Sequence, residues 1–357
     1  MECAGRRNLP LARRKLRANR RGMTDKIPVL VTGGAGYIGS HAVLALLDGG
    51  WPVAVIDNLV TGFRFAVPER VPFYQGDIDD GELLARIFAE QGTQAIMHFA
   101  GSVVVPESVE NPLKYYHNNT AKSRALIEAA VTGGLPHFIF SSTAATYGIP
   151  ETPQVEEGTP QSPINPYGWS KLMTERMLAD TAAAHPLNYC ALRYFNVAGA
   201  DPAGRSGQST AGATHLIKVA VEAALGKRGH VGVFGTDFET PDGTGVRDYI
   251  HVSDLAAAHV LALEALIAEP RRSLTMNCGY GRGFSVLEVL DAVDRVTNLT
   301  IERRFEGRRA GDPPSLISDN ARIKATLPWV PQYADLDTIV GHALQWERKL
   351  DEVRSRA

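Results

Sequence analysis

From Ile27 onward, short runs of β-branched and other apolar residues alternate with longer stretches in which apolar positions recur every three or four residues. A strand buried on both faces reads as a continuous apolar run, and its crossover helix as a stripe, so the alternation predicts parallel strands covered by helices. PVLVTGG supplies a first strand, SHAVLALLDGG a helix closed by Gly49 and Gly50, PVAVIDN and PFYQGDI two further strands, GELLARIFAEQ a second helix and AIMHFAG a fourth strand. A long helical stretch, PLKYYHNNTAKSRALIEAAVTGG, leads to the strand HFIFSS. A proline-rich loop from Ile149 to Pro166 then precedes a helix beginning YGWSKLMTERMLAD and the strand YCALRYFNV. Six strands in this order, with no internal repeat, predict an α/β fold with a doubly wound, Rossmann-type parallel sheet.

Past Asn196 the alternation loosens into glycine- and proline-rich loops with shorter elements, which predicts a second, smaller mixed α/β lobe for substrate. VRDYIHVSDLAAAHVLALEAL and SLTMNCG read again as helix and strand material for the first sheet. The expected division is therefore interleaved: 27–196 with 246–280 for a nucleotide cofactor, and 197–245 with 281–346 for substrate. Residues 1–26 carry many arginines, few acids and no lasting apolar face, and are expected to stand outside the fold as a disordered or non-native extension. They lack the serine enrichment and apolar half of a transit peptide.

Composition narrows the ligand. The chain has 357 residues, 44% apolar, 21% charged, with a net charge of −2, and its body shows no basic stripe interleaved with aromatics. Nucleic acid is therefore not an expected partner, and small molecules are. Cys3, Cys190 and Cys278 lie far apart without CxxC spacing, which argues against zinc and a disulfide framework and for a reducing, cytoplasmic setting. No run of about 18 apolar residues occurs, so no membrane span is expected.

In VLVTGGAGYIG, the glycines satisfy two spacings at once, Gly34-Ala-Gly36-Tyr-Ile-Gly39 and Gly33-xx-Gly36-xx-Gly39. Glycine there lets backbone approach a pyrophosphate, while the helix start supplies free N–H groups and positive dipole. The next strand ends in Asp57, an acid placed to accept hydrogen bonds from ribose hydroxyls and to repel a 2′-phosphate, so the pattern favours NAD over NADP. Asp77 and Ile78 after the third strand, and Phe99, Ala100 and Gly101 after the fourth, occupy the strand ends where such sheets bind ligands. Tyr167 and Lys171 stand four apart near a helix start, hence on one face. A tyrosine is a poor base at neutral pH unless a nearby cation stabilises its phenolate, and the lysine supplies one. Ser141-Ser142-Thr143, at the end of the fifth strand, offers a hydroxyl to a reacting oxygen, although such residues are also routine at turns.

Together TGGAGYIG, IDN, GDI, HFAG, FSSTAATYG, PYGWSK, RYFN, GTGVRDYIHV and RRAGDPP resemble the extended short-chain dehydrogenase/reductases, and among them the UDP-glucose 4-epimerase family, over roughly Ile27 to Trp346. The resemblance implies that Gly33, Gly36, Tyr37, Ile38, Gly39, Asp57, Asn58, Asp77, Ile78, Phe99, Ala100, Gly101, Asn118, Ser141, Tyr167, Lys171, Tyr194 and Phe195 hold NAD. It puts Thr143 at the catalytic serine or threonine, Tyr167 at the base and Lys171 beside it. For a UDP-sugar it implies Thr143, Tyr167, Asn196, His215, Leu216, the segment Gly232-Val233-Phe234, Arg247, Arg309 and Asp312. Guanidinium forks suit a diphosphate. The implied activity interconverts UDP-galactose and UDP-glucose through a transient 4-keto sugar with NAD retained, in a homodimer built on helices containing Tyr116 to Ala130 and Tyr167 to Leu178.

Three positions depart from the family's pattern. Val103 replaces a frequent lysine, His215 stands where some relatives have asparagine, and Leu316 stands at the gate to the sugar pocket where some have tyrosine. These leave 4-epimerisation of UDP-N-acetylglucosamine or UDP-xylose as alternatives. Related dehydratases and decarboxylases place acids after the Thr143 position, where this chain has Ala144 and Ala145, and a non-catalytic NAD-sensing relative would lose the tyrosine or lysine kept here.

Overall fold

The computed structural model describes residues 26–309 and 312–356. The N-terminal extension expected from the sequence lies outside the described residues except for Lys26, whose ammonium pairs with Glu264 and sits over the Trp51 ring. In chain order the strands are β1 (Val29–Thr32), β2 (Val53–Asp57), β3 (Phe73–Gln75), β4 (Ala95–His98), β5 (His137–Thr143), β6 (Gln154–Val155) and β7 (Asn188–Tyr194). They continue as β8 (Asn196–Ala198), β9 (Val231–Phe234), β10 (Val246–His251), β11 (Leu274–Cys278), β12 (Gly283–Ser285), β13 (Arg303–Glu306) and β14 (Ser315–Ser318). The helices are α1 (Tyr37–Asp48), α2 (Gly81–Gln91), α3 (Val105–Glu110), α4 (112–132), α5 (Pro166–Ala184), α6 (Leu216–Ala224), α7 (Val252–Ala268), α8 (Val286–Thr297), α9 (Ala321–Thr326) and α10 (Leu336–Arg356). Among the described residues no helix is long and apolar enough to cross a membrane.

Seven strands form one sheet in the order β11-β7-β5-β4-β1-β2-β3, all parallel. The order reverses between β1 and β4, and such a switch point opens a crevice at the carboxyl ends of those strands. Alternate residues of each strand feed opposite faces. Val29, Val31, Met97, Ile139 and Leu192 join the core under α1 and α7, while Leu30, Ile96, Phe138, Phe140 and Ala191 join the core that includes Leu84, Leu126 and Leu178 of α2, α4 and α5. Burial on both faces is the reason these strands read as unbroken apolar runs.

Two features differ from the sequence expectation. YCALRYFNV is not one strand: β7 ends at Tyr194, and after Phe195 the chain enters β8, which pairs with β10. VRDYIH, expected in the first sheet, forms β10 in the smaller sheet, antiparallel to β12 and parallel to β14 and β8. A short strand-forming stretch reports its conformation but not its partner. The helix that follows, α7, does cover the large sheet, and β11 is that sheet's edge strand. A third core, built from Ile217, Val221, Val289, Val293, Ile339 and Val340 of α6, α8 and α10, supports the smaller lobe.

Candidate active site

At the switch point the glycines pack without room for side chains. Gly33 has φ +68°, and a Cβ on it would lie 2.6 Å from the Ala100 backbone nitrogen; a Cβ on Gly39 would lie 2.1 Å from the Gly33 carbonyl oxygen. Gly36 caps α1 without a side chain, so the first N–H groups of the helix face the crevice uncapped. The Asp57 carboxylate, buried at the end of β2, accepts from the N–H of Ala35 at 2.9 Å and of Leu59 at 2.8 Å. Leu59 adopts φ +61°, a strained backbone for leucine that turns its N–H back onto this carboxylate. Each Asp57 oxygen keeps a further lone pair for a ribose hydroxyl. Burial raises the Asp57 pKa, opposed by these two N–H donors. The cradle therefore fits a dinucleotide: the glycines carry no side chain toward the pyrophosphate, and an acid stands one strand away.

Around it, Asn58 donates to Asp77 at 3.2 Å, and Asp77 pairs with Lys122. The Ile78 side chain lies in the core under α2 rather than in the crevice. Phe99 packs at 4.8 Å from the His259 ring. The Tyr37 hydroxyl is committed to the Gly199 carbonyl at 2.7 Å, which ties α1 to the loop after β8. Asn118 sits in a π-helical segment, Tyr116–Ala121, within α4, and donates to the Ser102 hydroxyl at 3.0 Å. Its neighbour Asn119, which sequence reasoning missed, accepts from the Ser102 N–H at 2.7 Å and donates to the Ser102 carbonyl and the Ser170 hydroxyl.

Thr143, Tyr167 and Lys171 come together at the end of β5. Asn165 caps α5 by accepting from Gly168 N–H at 2.8 Å, and Pro166 occupies the first turn, so Tyr167 is fixed at the helix start. Its phenol faces the Thr143 side chain. Burial raises the Tyr167 pKa and the Thr143 hydroxyl lowers it, the net effect being upward, so the free molecule holds a neutral phenol. Lys171 is buried, donates to the Ser141 carbonyl at 3.0 Å and lies 5.0 Å over the Phe140 ring; burial draws its pKa down to about 8. Tyr115 meets Tyr167 edge-on at 6.4 Å, and the hydroxyls of Ser141 and Tyr194 are hydrogen-bonded together.

On the smaller lobe, Asn196, His215 and Leu216 line one cavity with Gln208, whose amide donates to His215 Nδ1 at 2.7 Å. Burial lowers the His215 pKa, so it is a neutral imidazole. The Arg309 guanidinium stacks 3.7 Å over Phe234, and Arg247 lies 3.8 Å from Asp312. Val233 is fully buried in the third core, so only its backbone is available to a ligand. Leu316 joins Ala144, Tyr147 and Val155, with Phe195 packed against them, next to Thr143, whereas Val103 is exposed. Gln208 escaped sequence reasoning because nothing in its local pattern points to His215.

A pyrophosphate cradle beside a phenol–ammonium pair is the equipment of a dinucleotide-dependent oxidoreduction fold. The chain belongs to the NAD dependent epimerase/dehydratase family, whose sequence pattern matches residues 29–279. A UDP-glucose 4-epimerase from Azospirillum brasilense is 57% identical over 337 residues, covering 92% of this chain and 96% of its own. The structure of UDP-glucose 4-epimerase from Brucella ovis in complex with NAD superposes with a TM-score of 0.86 at 46% identity, covering 89% of this chain and 98% of that one. That of UDP-glucose 4-epimerase from Bifidobacterium longum in complex with NAD+ and UDP gives 0.86 at 36% identity, over 91% and 99%.

Proposed function

We infer that this chain is an NAD-dependent UDP-glucose 4-epimerase that interconverts UDP-galactose and UDP-glucose through a transient 4-keto sugar. The observation that carries the reading is the meeting of Tyr167, Thr143 and Lys171 beside the glycine cradle. Held by the glycine cradle and Asp57, NAD would supply a hydride acceptor for C4 of the sugar and a donor for its return. Tyr167, ionised to the phenolate in the cofactor-loaded enzyme, takes the proton of the 4-hydroxyl at its oxygen and gives it back. Lys171 stabilises the phenolate with its ammonium, and Thr143 orients the sugar oxygen. Arg247, Arg309 and Asp312 hold the nucleotide while the sugar turns over, with Asn196, His215, Leu216 and the Gly232-Val233-Phe234 backbone completing the pocket. Ala144 is buried and Ala145 has no carboxyl, so no acid follows Thr143 to drive an elimination. This disfavours a dehydratase.

We assign cofactor binding to 27–196 with 246–280 and sugar-nucleotide binding to 197–245 with 281–346, although β10 itself pairs in the smaller sheet before the chain returns to the large one through α7. Free, buried Cys190 and Cys278 suit a reducing cytoplasm. We further propose a homodimer, supported by exposed apolar residues on adjacent elements: Val109 on α3, Leu113 at the start of α4, and Trp169 and Met173 on α5.

Purified protein given UDP-galactose without added NAD should yield UDP-glucose; no product even after NAD is supplied would overturn the assignment. Tyr167→Phe should lower turnover by a factor on the order of 10³ while NAD content stays at the wild-type level. UDP-N-acetylgalactosamine and UDP-xylose, run in parallel, define the range of sugars.

A further inference from the structure

Three successive residues of β5 are each held by one stripe of α5. Tyr167 lies by the Thr143 hydroxyl, Lys171 donates to the Ser141 carbonyl, and Glu175 accepts from the Ser142 hydroxyl between them. Spacings of four residues place all three α5 side chains on one helix face. The chemistry above uses the first two contacts and leaves the third unexplained. Glu175 is also gripped by Arg193, whose Nε lies 2.9 Å and Nη2 2.6 Å from its two carboxylate oxygens. Arg193 stands in register with Ser142 on β5 and with Asn277 on β11, so one polar row crosses three adjacent strands. The row continues from Arg193 Nη1 to the Tyr147 hydroxyl at 3.0 Å, and from that hydroxyl to Asn277 Oδ1 at 2.6 Å. Every member is buried. A buried ion pair is an expensive way to fill space, since apolar residues of similar size often serve stability as well or better.

We propose that Glu175 and Arg193 are positioning residues for the reaction: they lock the register of α5 on β5 and so fix the Tyr167 phenol against the Thr143 hydroxyl. The proposal rests on the epimerase reading. A small shift of α5 along β5 would separate phenol and hydroxyl without touching the nucleotide pocket, and misplacements of about 1 Å can lower a rate roughly 100-fold. The pair also sets charge near the base. Two helix turns separate Glu175 from Tyr167, and the other groups facing the phenol are Lys171 on α5, Thr143 on β5, Tyr194 on β7 and Tyr115 on α4.

Glu175→Gln keeps size and the Ser142 acceptor but leaves Arg193 unpaired. It should lower kcat about 10- to 100-fold, hold KM for UDP-galactose within about threefold, and move the acid limb of kcat to lower pH by roughly half a unit. Arg193→Met leaves the carboxylate unpaired and should move that limb to higher pH. The Glu175→Met, Arg193→Met double variant removes the charges together and should fold with near wild-type thermal stability, yet keep the low kcat. Ultraviolet difference titration of tyrosinate, with Tyr167→Phe subtracted, reads the same opposed shifts without turnover. It therefore separates this proposal from the epimerase reading, which fails if the wild type itself does not turn over. Wild-type kcat in the double variant, or limbs that do not move in opposite senses, would overturn the proposal. So would failure of all three variants to fold, which would make the pair a folding requirement only.

Discussion

Lys171 serves two demands that oppose each other. Its charge supports the Tyr167 phenolate, yet burial brings its pKa from 10.5 down to about 8. Below pH 8 both folded and unfolded chains carry the proton, and the folded state bears the whole burial cost; between pH 8 and 10.5 the folded lysine loses its proton first and the cost is relieved. The shift corresponds to about 3 kcal/mol, less about 1 kcal/mol for the hydrogen bond to Ser141. Lys171→Met should thus raise the unfolding temperature at pH 7, abolish turnover, and lose its advantage toward pH 10. An equal gain at both pH values would contradict the depressed pKa. Gly39→Ala tests the cradle: its Cβ would collide with the Gly33 carbonyl at 2.1 Å. It should cost about 1–3 kcal/mol and strip NAD from the purified protein, read from the melting temperature and the bound nucleotide. Retained NAD would count against the cradle. At this scale the sequence was most legible where chemistry is written along one short stretch, as with the glycines leading into α1 or Tyr167 and Lys171 of α5. Glu175 with Arg193 was not legible, because that contact joins α5 to β7, and Gln208 with His215 was not, because both lie in the irregular loop between β8 and α6 whose path no local pattern reveals.

Elements are where local pattern and tertiary demand part company. The strands of the large sheet could be read because burial on both faces leaves an unbroken apolar signature. The partner of β10 could not, since VRDYIH is half polar and its short pattern suits either sheet. The π-helical segment Tyr116–Ala121 was equally hidden: its composition is that of the surrounding helix, and only the fold reveals the extra residue in the turn. That widened turn brings Asn118 and Asn119 to Ser102, beside the loop after β4. Asn119→Leu keeps the branched shape but leaves the Ser102 N–H and carbonyl without their partner, a loss of about 2–4 kcal/mol. It should lower the melting temperature and weaken NAD retention together, as seen by calorimetry with and without added NAD. A melting temperature that falls equally under saturating NAD and without it would mean that the segment supports the fold but not the cofactor site.

At the scale of the whole molecule, the two lobes meet where β7 gives way to β8. Tyr194, the last residue of β7, lies by Ser141, while Asn196, two residues later, lines the cavity of the smaller lobe. A short connection of this kind keeps cofactor and substrate sites in fixed relation. The same α5 that carries Tyr167 and Lys171 inward carries Trp169 and Met173 outward, 41% exposed each, next to the neighbouring elements that expose Val109 and Leu113. Large apolar side chains gathered on adjacent exposed elements mark an association surface more often than a solvated one. If α5 is the dimer helix, Trp169→Glu places a charge in the buried interface, which costs several kcal/mol for the pair of copies. Sedimentation velocity should then show wild-type protein at twice the chain mass and the variant at the chain mass, with circular dichroism unchanged. Because α5 also sets the Tyr167 phenol, the monomer should retain NAD but turn over more slowly. A wild-type protein that sediments as a monomer, or a variant that remains dimeric, would remove α5 from the interface.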